Sequence, residues 1–384
     1  VIAAVAYVDP GNFATNVSAG AKLGTMLIWV TVAASAVGML VQYLSAKLGL
    51  VTGRSLPEVC RQRMPAWARQ GMWLQAELVV IMTEVAEVVG GSIALNLLLG
   101  LPLALGAVLM VLTSFAVLGL RMRGRELFRP VVYGCLAVVT LGFAYQALRS
   151  GVAAGEVASG LKPRLSGTDS VYLAAGIVGA TVMPHVVYLH SDLIKNESRV
   201  SARSVSRLIR TSRREIAAAM TIAAAANIAI LLSATALSPD QAGSLEAAHA
   251  AFAQVTGALS AWSFAVALLA SSLASICVGA QSGQAVMSGF LYQTSSLWLR
   301  RCVSLLPALG VLLLGVDPTR ALVLSQVCLS FGIPFALTPL IWFTSRRAVM
   351  GDAVNRLPTV LVALAVLVAV VALNVFLLGS VLSS

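Results

Sequence analysis

The chain has 384 residues, of which 59% are hydrophobic and only 11% charged. Soluble domains carry roughly 25% charged residues and need polar side chains to cover a core of this size, so soluble globular, disordered and coiled-coil classes are excluded and a polytopic membrane protein is indicated. The net charge of +11 reflects 26 Lys and Arg against 15 Asp and Glu, and in a membrane protein the placement of those charges says more than their sum.

A helix needs about 20 apolar residues to cross the hydrocarbon core. Eleven segments are predicted to do so, near residues 1–20, 24–46, 71–99, 102–120, 130–148, 171–191, 214–237, 259–290, 299–316, 319–343 and 357–379. Runs such as LVALAVLVAVVAL in the last of them do not alternate, which excludes a β-barrel. The expected fold class is therefore an all-α polytopic membrane protein with 11 transmembrane helices. The opening residues lack the basic lead and small-residue cleavage site of a signal peptide. The chain starts without Met inside an apolar run, so part of the first span and its lead are expected to precede Val1.

The first span reads VIAAVAYVDPGNFATNVSAGA. Pro10 removes a backbone donor and Gly11 loosens the chain, which predicts an interruption at DPGN. Backbone unwound at membrane depth is tolerated only where it lines a cavity or binds something. The freed carbonyls include that of Ala6 or its neighbours. Asp9 and Asn12 add hard oxygen donors at the same point.

The third span, QAELVVIMTEVAEVVGG, carries Glu77, Glu84 and Glu87 at i, i+7 and i+10, on one helical face. Acids inside a membrane are costly and usually functional. Neighbouring like charges cannot all ionise cheaply in a low dielectric, so the stripe suits a proton relay.

The sixth span, VYLAAGIVGATVMPHVVYLHS, is expected to be interrupted by Gly179, Met183, Pro184 and His185. His185 can gain or lose a proton near neutral pH, and His190 follows it. The two breaks lie five spans apart, and an odd offset inverts the second unit relative to the first. Two interrupted helices in matching positions of inverted halves point to a transport site. Residues 1–151 and 170–345 are the expected five-helix repeats, with 346–384 adding the eleventh helix. Asp9, Asn12 and a freed carbonyl suit a divalent cation. The Met183 thioether adds softness that favours Mn²⁺, Fe²⁺ and heavier ions over Mg²⁺ or Ca²⁺.

The basic residues settle orientation. Lys47, Arg54, Arg61, Arg63 and Arg69 precede the third span, Arg121, Arg123, Arg125 and Arg129 the fifth, and Lys195 to Arg214 the seventh. Arg300, Arg301, Arg346, Arg347 and Arg356 fall on the same side, leaving Lys22, Arg149, Lys162, Arg164 and Arg320 opposite. The positive-inside rule places the N-terminus in the cytoplasm and the C-terminus outside. No nucleic-acid partner is needed to account for the basic loops. Cys60, Cys135, Cys277, Cys302 and Cys328 are odd in number and without CxxC spacing, which argues against a disulfide framework or zinc site.

DPGN at 9–12, MPH at 183–185 within GATVMPHVVYLHS, LVQYLSAKLGLVTGRSLPE at 40–58 and LVLSQVCLSFGIPFAL at 322–337 resemble the Nramp family of metal-ion transporters. The resemblance runs through all eleven spans. It implies a LeuT-type fold with discontinuous helices 1 and 6. It also implies proton-coupled import of Mn²⁺ and Fe²⁺, with Cd²⁺, Co²⁺ and Zn²⁺ as further candidates. By position, it puts metal ligands on Asp9, Asn12 and Met183, on the backbone carbonyls of Ala6 and Ala180, and on Gln326. An interhelical hydrogen bond is the alternative for Gln326. The proton path falls on Glu84, Glu87 and His185, with Arg300 and Arg301 as partners, although membrane anchoring would also explain those arginines. The family usually has Asp where this chain has Glu84, which reaches one methylene further. The resemblance implies no cofactor beyond the transported ion, no obligate protein partner, and residence in the inner (plasma) membrane.

Other readings are weaker on the residues themselves. An amino-acid carrier of the same fold holds its substrate carboxylate at half-helix N-termini, where Asp9 would repel it. A magnesium carrier gains nothing from a thioether. An intramembrane metalloenzyme needs a closed ligand set and a general base, which three histidines, one of them the outer-loop His249, do not supply.

Overall fold

The computed structural model describes residues 7–123, 128–149, 151–197, 204–291 and 297–382. Every regular element among them is helical. In chain order the helices of seven residues or more are α1 (Pro10–Leu23), α2 (Ile28–Thr52), α3 (Leu56–Arg63), α4 (Ala66–Leu99), α5 (Leu103–Arg123), α6 (Phe128–Arg149) and α7 (Ala154–Gly160). The second half continues with α8 (Gly167–Val182), α9 (Pro184–Ile194), α10 (Val205–Ala234), α11 (Leu245–Val255), α12 (Ala258–Leu291), α13 (Leu297–Leu313), α14 (Pro318–Thr344) and α15 (Leu357–Leu382).

Among the described residues, seven helices are long and apolar enough to cross a membrane: α2, α4, α8 with α9, α10, α12, α14 and α15. The other expected spans fall on α1, α5, α6 and α13. The 14 residues of α1 are few because the helix starts at the first break rather than at the membrane face. Eleven is the number the sequence predicts; length and apolarity alone establish seven of them.

α1 is the innermost element, buried from Pro10 to Ala21. Phe13 anchors it. Its ring meets Phe143 of α6 edge-on at 4.8 Å and Phe264 of α12 at 5.9 Å, and the latter two are 6.3 Å apart. Such edge-on pairs add roughly 0.5–1.5 kcal/mol each beyond burial. Around this centre α4 lies along α12, α2 along α10, and α8 along α14. α15 stands at the periphery, with Leu361, Val368, Val375 and Phe376 exposed, as a helix facing lipid requires.

Both breaks are built in the same way. Asp9 is extended and Pro10 opens α1; Met183 is non-helical and Pro184 opens α9. At the first position of a helix the missing proline donor costs nothing, so each proline restarts a helix instead of kinking one. Gly179, expected to join the second interruption, is helical and sits inside α8. Its lack of a side chain serves close approach, because a Cβ there would stand 1.8 Å from the Gln326 carbonyl oxygen of α14.

At one end of the bundle α3 closes against the tip of α9. Ser55 and Glu58 form a reciprocal capping box at its start. Lys195 then reaches Glu58 at 2.8 Å and Asp192 at 2.7 Å, and Leu56 N donates to Ser191 Oγ at 2.9 Å. Burial raises the Glu58 pKa, but hydrogen bonds from Lys195 and the Ser55 backbone, with the ammonium charge, bring it below its ordinary 4.5. Burial lowers the Lys195 pKa, and Asp192 and Glu58 outweigh it, leaving the ammonium above 10.5. The stability of this latch is therefore whole at neutral pH and is lost as pH falls through the lowered Glu58 value. Lys195→Gln should cost about 1 kcal/mol at pH 7 and less once Glu58 is protonated, when only the Asp192 pair remains. Melting curves of native and variant protein, compared along a series of decreasing pH from 7, check this.

Candidate metal-ion site

The first break exposes carbonyls that other helices then hold. The Tyr7 carbonyl accepts from Asn12 Nδ2 at 3.2 Å and from Asn227 Nδ2 of α10 at 3.0 Å. The Val8 carbonyl accepts from Ser271 Oγ of α12 at 2.6 Å. Asp9 caps α1, its Oδ1 accepting from Asn12 N at 2.8 Å and from Asn12 Nδ2 at 2.9 Å. The same Asn12 amide donates to the Ala180 carbonyl of α8 at 3.2 Å and so joins the two broken helices.

Met183, at the second break, has φ 35° and ψ 91° and is the one non-glycine residue with positive φ among those described. Left-handed backbone is unfavourable for an unbranched L-residue without local compensation. It persists where surrounding structure imposes it, commonly at functional sites. Met183 and Ala180 are both fully inside the protein.

Gln326 comes from α14. A Cβ on Gly11 would lie 2.0 Å from its Nε2, so only glycine lets this side chain rest on the first break. Its Nε2 donates to Ser325 Oγ of its own helix at 3.1 Å. The expected alternative, an interhelical hydrogen bond, is not what holds it.

Three side-chain oxygens here are buried with no hydrogen-bond partner: Asp9 Oδ2, Asn12 Oδ1 and Gln326 Oε1. Buried polar atoms normally find a partner, and exceptions call for an explanation. No group of three or more His, Cys, Asp or Glu able to hold a metal occurs among the described residues. The donor set here is of another kind, with one carboxylate, two amides, a carbonyl and a thioether. Asp9 is its one acid. Ala6 lies outside the described residues.

The expected proton residues sort into two groups. Thr83 Oγ1 of α4 is 3.1 Å from His185 Nδ1, which ties α4 to the second break. Glu84, next to Thr83, is fully buried and its Oε1 is 4.0 Å from Arg300 Nη1. Arg300 Nη2 donates to Glu77 Oε2 at 2.9 Å. Glu87 is buried against Gly279 of α12, where a Cβ would come 2.6 Å from its Oε1. Arg300 is thus an interior ion-pair partner rather than a membrane anchor. The side chain of Arg301 lies outside the described residues. His190 is not brought to α4. Five residues on from His185 it points about 140° away around the helix, and its Nδ1 meets Gln42 Oε1 of α2 at 2.6 Å.

Asn227, Ser271, Thr83 and Gln42 complete these networks and escaped the sequence reading. Their signal was present, since each is a polar residue inside an apolar span, where a hydrogen-bond partner is expected.

A helical bundle with two broken helices meeting over a buried carboxylate is that of a membrane transporter of the discontinuous-helix class. The sequence profile of the family described as natural resistance-associated macrophage protein-like, or Nramp, matches residues 1–380. The chain belongs to the Nramp family. The divalent metal cation transporter MntH of Mycobacterium tuberculosis is 48% identical over 383 residues, covering 98% of this chain and 89% of that one. The crystal structure of the Eremococcus coleocola manganese transporter superposes with a TM-score of 0.87 at 30% identity, over 98% of this chain and 84% of that one. MhsT, solved in complex with L-phenylalanine, shares the fold at a TM-score of 0.65 and 14% identity, over 97% of each chain. The chain is a multi-pass membrane transporter of LeuT-type fold, not an enzyme.

Proposed function

We propose that this protein imports divalent transition-metal ions, Mn²⁺ and Fe²⁺ foremost, coupled to protons, through a site at the meeting of the two breaks. The observation that carries the reading is the set of three unpartnered buried oxygens, on Asp9, Asn12 and Gln326, around one carboxylate. A hard divalent cation is the partner such oxygens fit. Asp9, Asn12, Met183 and Gln326 supply side-chain donors, and the carbonyls of Ala180 and Ala6 complete the set. Family membership and the names of the relatives support the same substrate class.

Protons travel along α4 in this reading. His185, Thr83, Glu84, Arg300 and Glu77 form a run from the second break toward the start of α13, with Glu87 beside it; Arg301 and His190 are accessory. The Glu84 carboxylate, longer than the family's usual Asp, stands within reach of Arg300. The packing of span upon span supports two inverted halves, residues 1–151 and 170–345, with 346–384 added. α1 meets α8, α2 meets α10, α4 meets α12 and α5 meets α13, each pair five spans apart. The protein resides in the inner (plasma) membrane, N-terminus cytoplasmic and C-terminus outside, and acts without an obligate protein partner.

Mn²⁺ uptake and internal pH recorded together in proteoliposomes test this. Mn²⁺ uptake that acidifies the lumen is expected. Uptake with no proton movement refutes the coupling, and no uptake refutes the substrate.

Met183 sets selectivity through its sulfur. Met183→Ala should admit Ca²⁺ or Mg²⁺, measured as competition against Mn²⁺ uptake. Unchanged discrimination removes Met183 from the ligands.

A further inference from the structure

We propose that Asn374 is a positioning residue for the ion site: it replaces the backbone donor that Pro334 removes, and so holds the part of α14 that carries Gln326. Pro334 lies inside α14 and has no N–H. In an unbroken helix that N–H would bond the carbonyl four residues back, which belongs to Ser330. A buried carbonyl without a donor is costly, most of all in a lipid environment.

Asn374 meets this need from outside the helix. It sits on α15, a helix otherwise apolar along its middle, yet it is only 5% exposed. Its Nδ2 donates to the Ser330 carbonyl at 2.9 Å. Its Oδ1 faces Ser330 Oγ at 2.8 Å, the hydroxyl lying also 2.7 Å from the Val327 carbonyl. One amide thus engages both polar groups of a single residue. An asparagine in this setting is hard to explain by solubility or orientation, and the geometry supplies the reason.

The link to the ion site is short. Gln326 lies one helical turn before Ser330. The backbone between them touches α8, where a Cβ on Gly179 would come 1.8 Å from the Gln326 carbonyl and 2.9 Å from Ser330 N. Leu377 of α15 packs with Val327 of α14 and with Val171 and Ala175 of α8. The eleventh span therefore braces the two helices that present Gln326 and Ala180. The positioning role rests on the reading of Gln326 as an ion ligand; the capping role does not.

The test uses native protein, Asn374→Leu, Pro334→Ala and the double variant. Each is followed by thermal unfolding and by Mn²⁺ uptake in proteoliposomes, normalised to reconstituted protein. Asn374→Leu should melt lower and raise the apparent KM for Mn²⁺ about tenfold, the scale of one lost interhelical contact, with maximal rate changed less than about twofold. Pro334→Ala restores the N–H, so the double variant should return to the values of Pro334→Ala alone. A folded Asn374→Leu with native KM overturns the positioning role. Failure of Pro334→Ala to restore the double variant overturns the cap. If Asn374→Leu does not fold, the double variant must, and failure of both overturns the proposal. Asp9→Asn separates the two readings. If it loses uptake while Asn374→Leu is unchanged, the ion site stands and Asn374 drops out. If it retains uptake, the ion site itself is wrong.

Discussion

Asp9→Asn should abolish Mn²⁺ uptake while leaving the protein folded. The substitution separates two jobs held by one side chain. Asp9 Oδ1 caps α1, and asparagine caps helices about as well as aspartate. The charge is a different matter. Asp9 is the one acid among the proposed ligands, and removing it leaves a divalent ion facing neutral dipoles in a water-poor interior, where an uncompensated ion costs several kcal/mol or more. Transport should fall by about two orders of magnitude or more. Asp9→Ala should lose the cap as well, costing about 1 kcal/mol of helix stability. Filter uptake of Mn²⁺ together with a melting curve tells the two effects apart. A folded Asp9→Asn protein with native uptake would remove the site.

The second large effect is expected at Arg300. Its guanidinium joins Glu77 and stands near Glu84, with side-chain exposures of 7%, 14% and 0% respectively. Removing one partner of a buried ion pair commonly costs about 3–5 kcal/mol, because the other charge stays behind. Arg300→Leu should therefore lower the melting temperature strongly and uncouple Mn²⁺ uptake from lumenal acidification. Adding Glu77→Gln should recover part of the stability, since the nearer of the two carboxylates facing Arg300 is then neutral, without restoring coupling. Full coupling in folded Arg300→Leu protein would take Arg300 off the proton route. Arg300→Lys keeps the charge but not the planar fork, and should fall between.

Much of this was legible in the residues. Asp-Pro-Gly-Asn in one apolar run and Met-Pro-His in another announced both breaks, because proline is restricted wherever it stands. The glutamate stripe on α4 followed from helical periodicity alone. What stayed hidden depends on contacts across the bundle. Nothing local tells that Asn227 and Ser271 hold the carbonyls of Tyr7 and Val8, or that Asn374 caps Ser330, since each pair is brought together only by tertiary packing. Gly179, helical rather than broken, is a related case. Glycine in a helix can mean a break or a close neighbour, and only the partner helix decides. His190 lies close to His185 in sequence, yet five residues of helix turn it toward α2.

The Asn12 amide is also a mechanical part. Asn12 bonds the Tyr7 carbonyl just before α1, the Asp9 cap of α1, and the Ala180 carbonyl across on α8. A movement that parts α1 from α8 must first break that last bond. An ion that draws Asn12 Oδ1 toward itself must turn the same group. If Asn12 binds the ion as proposed, ion binding and the parting of the two half-helices both act on one rotatable side chain, a clasp as well as a hand.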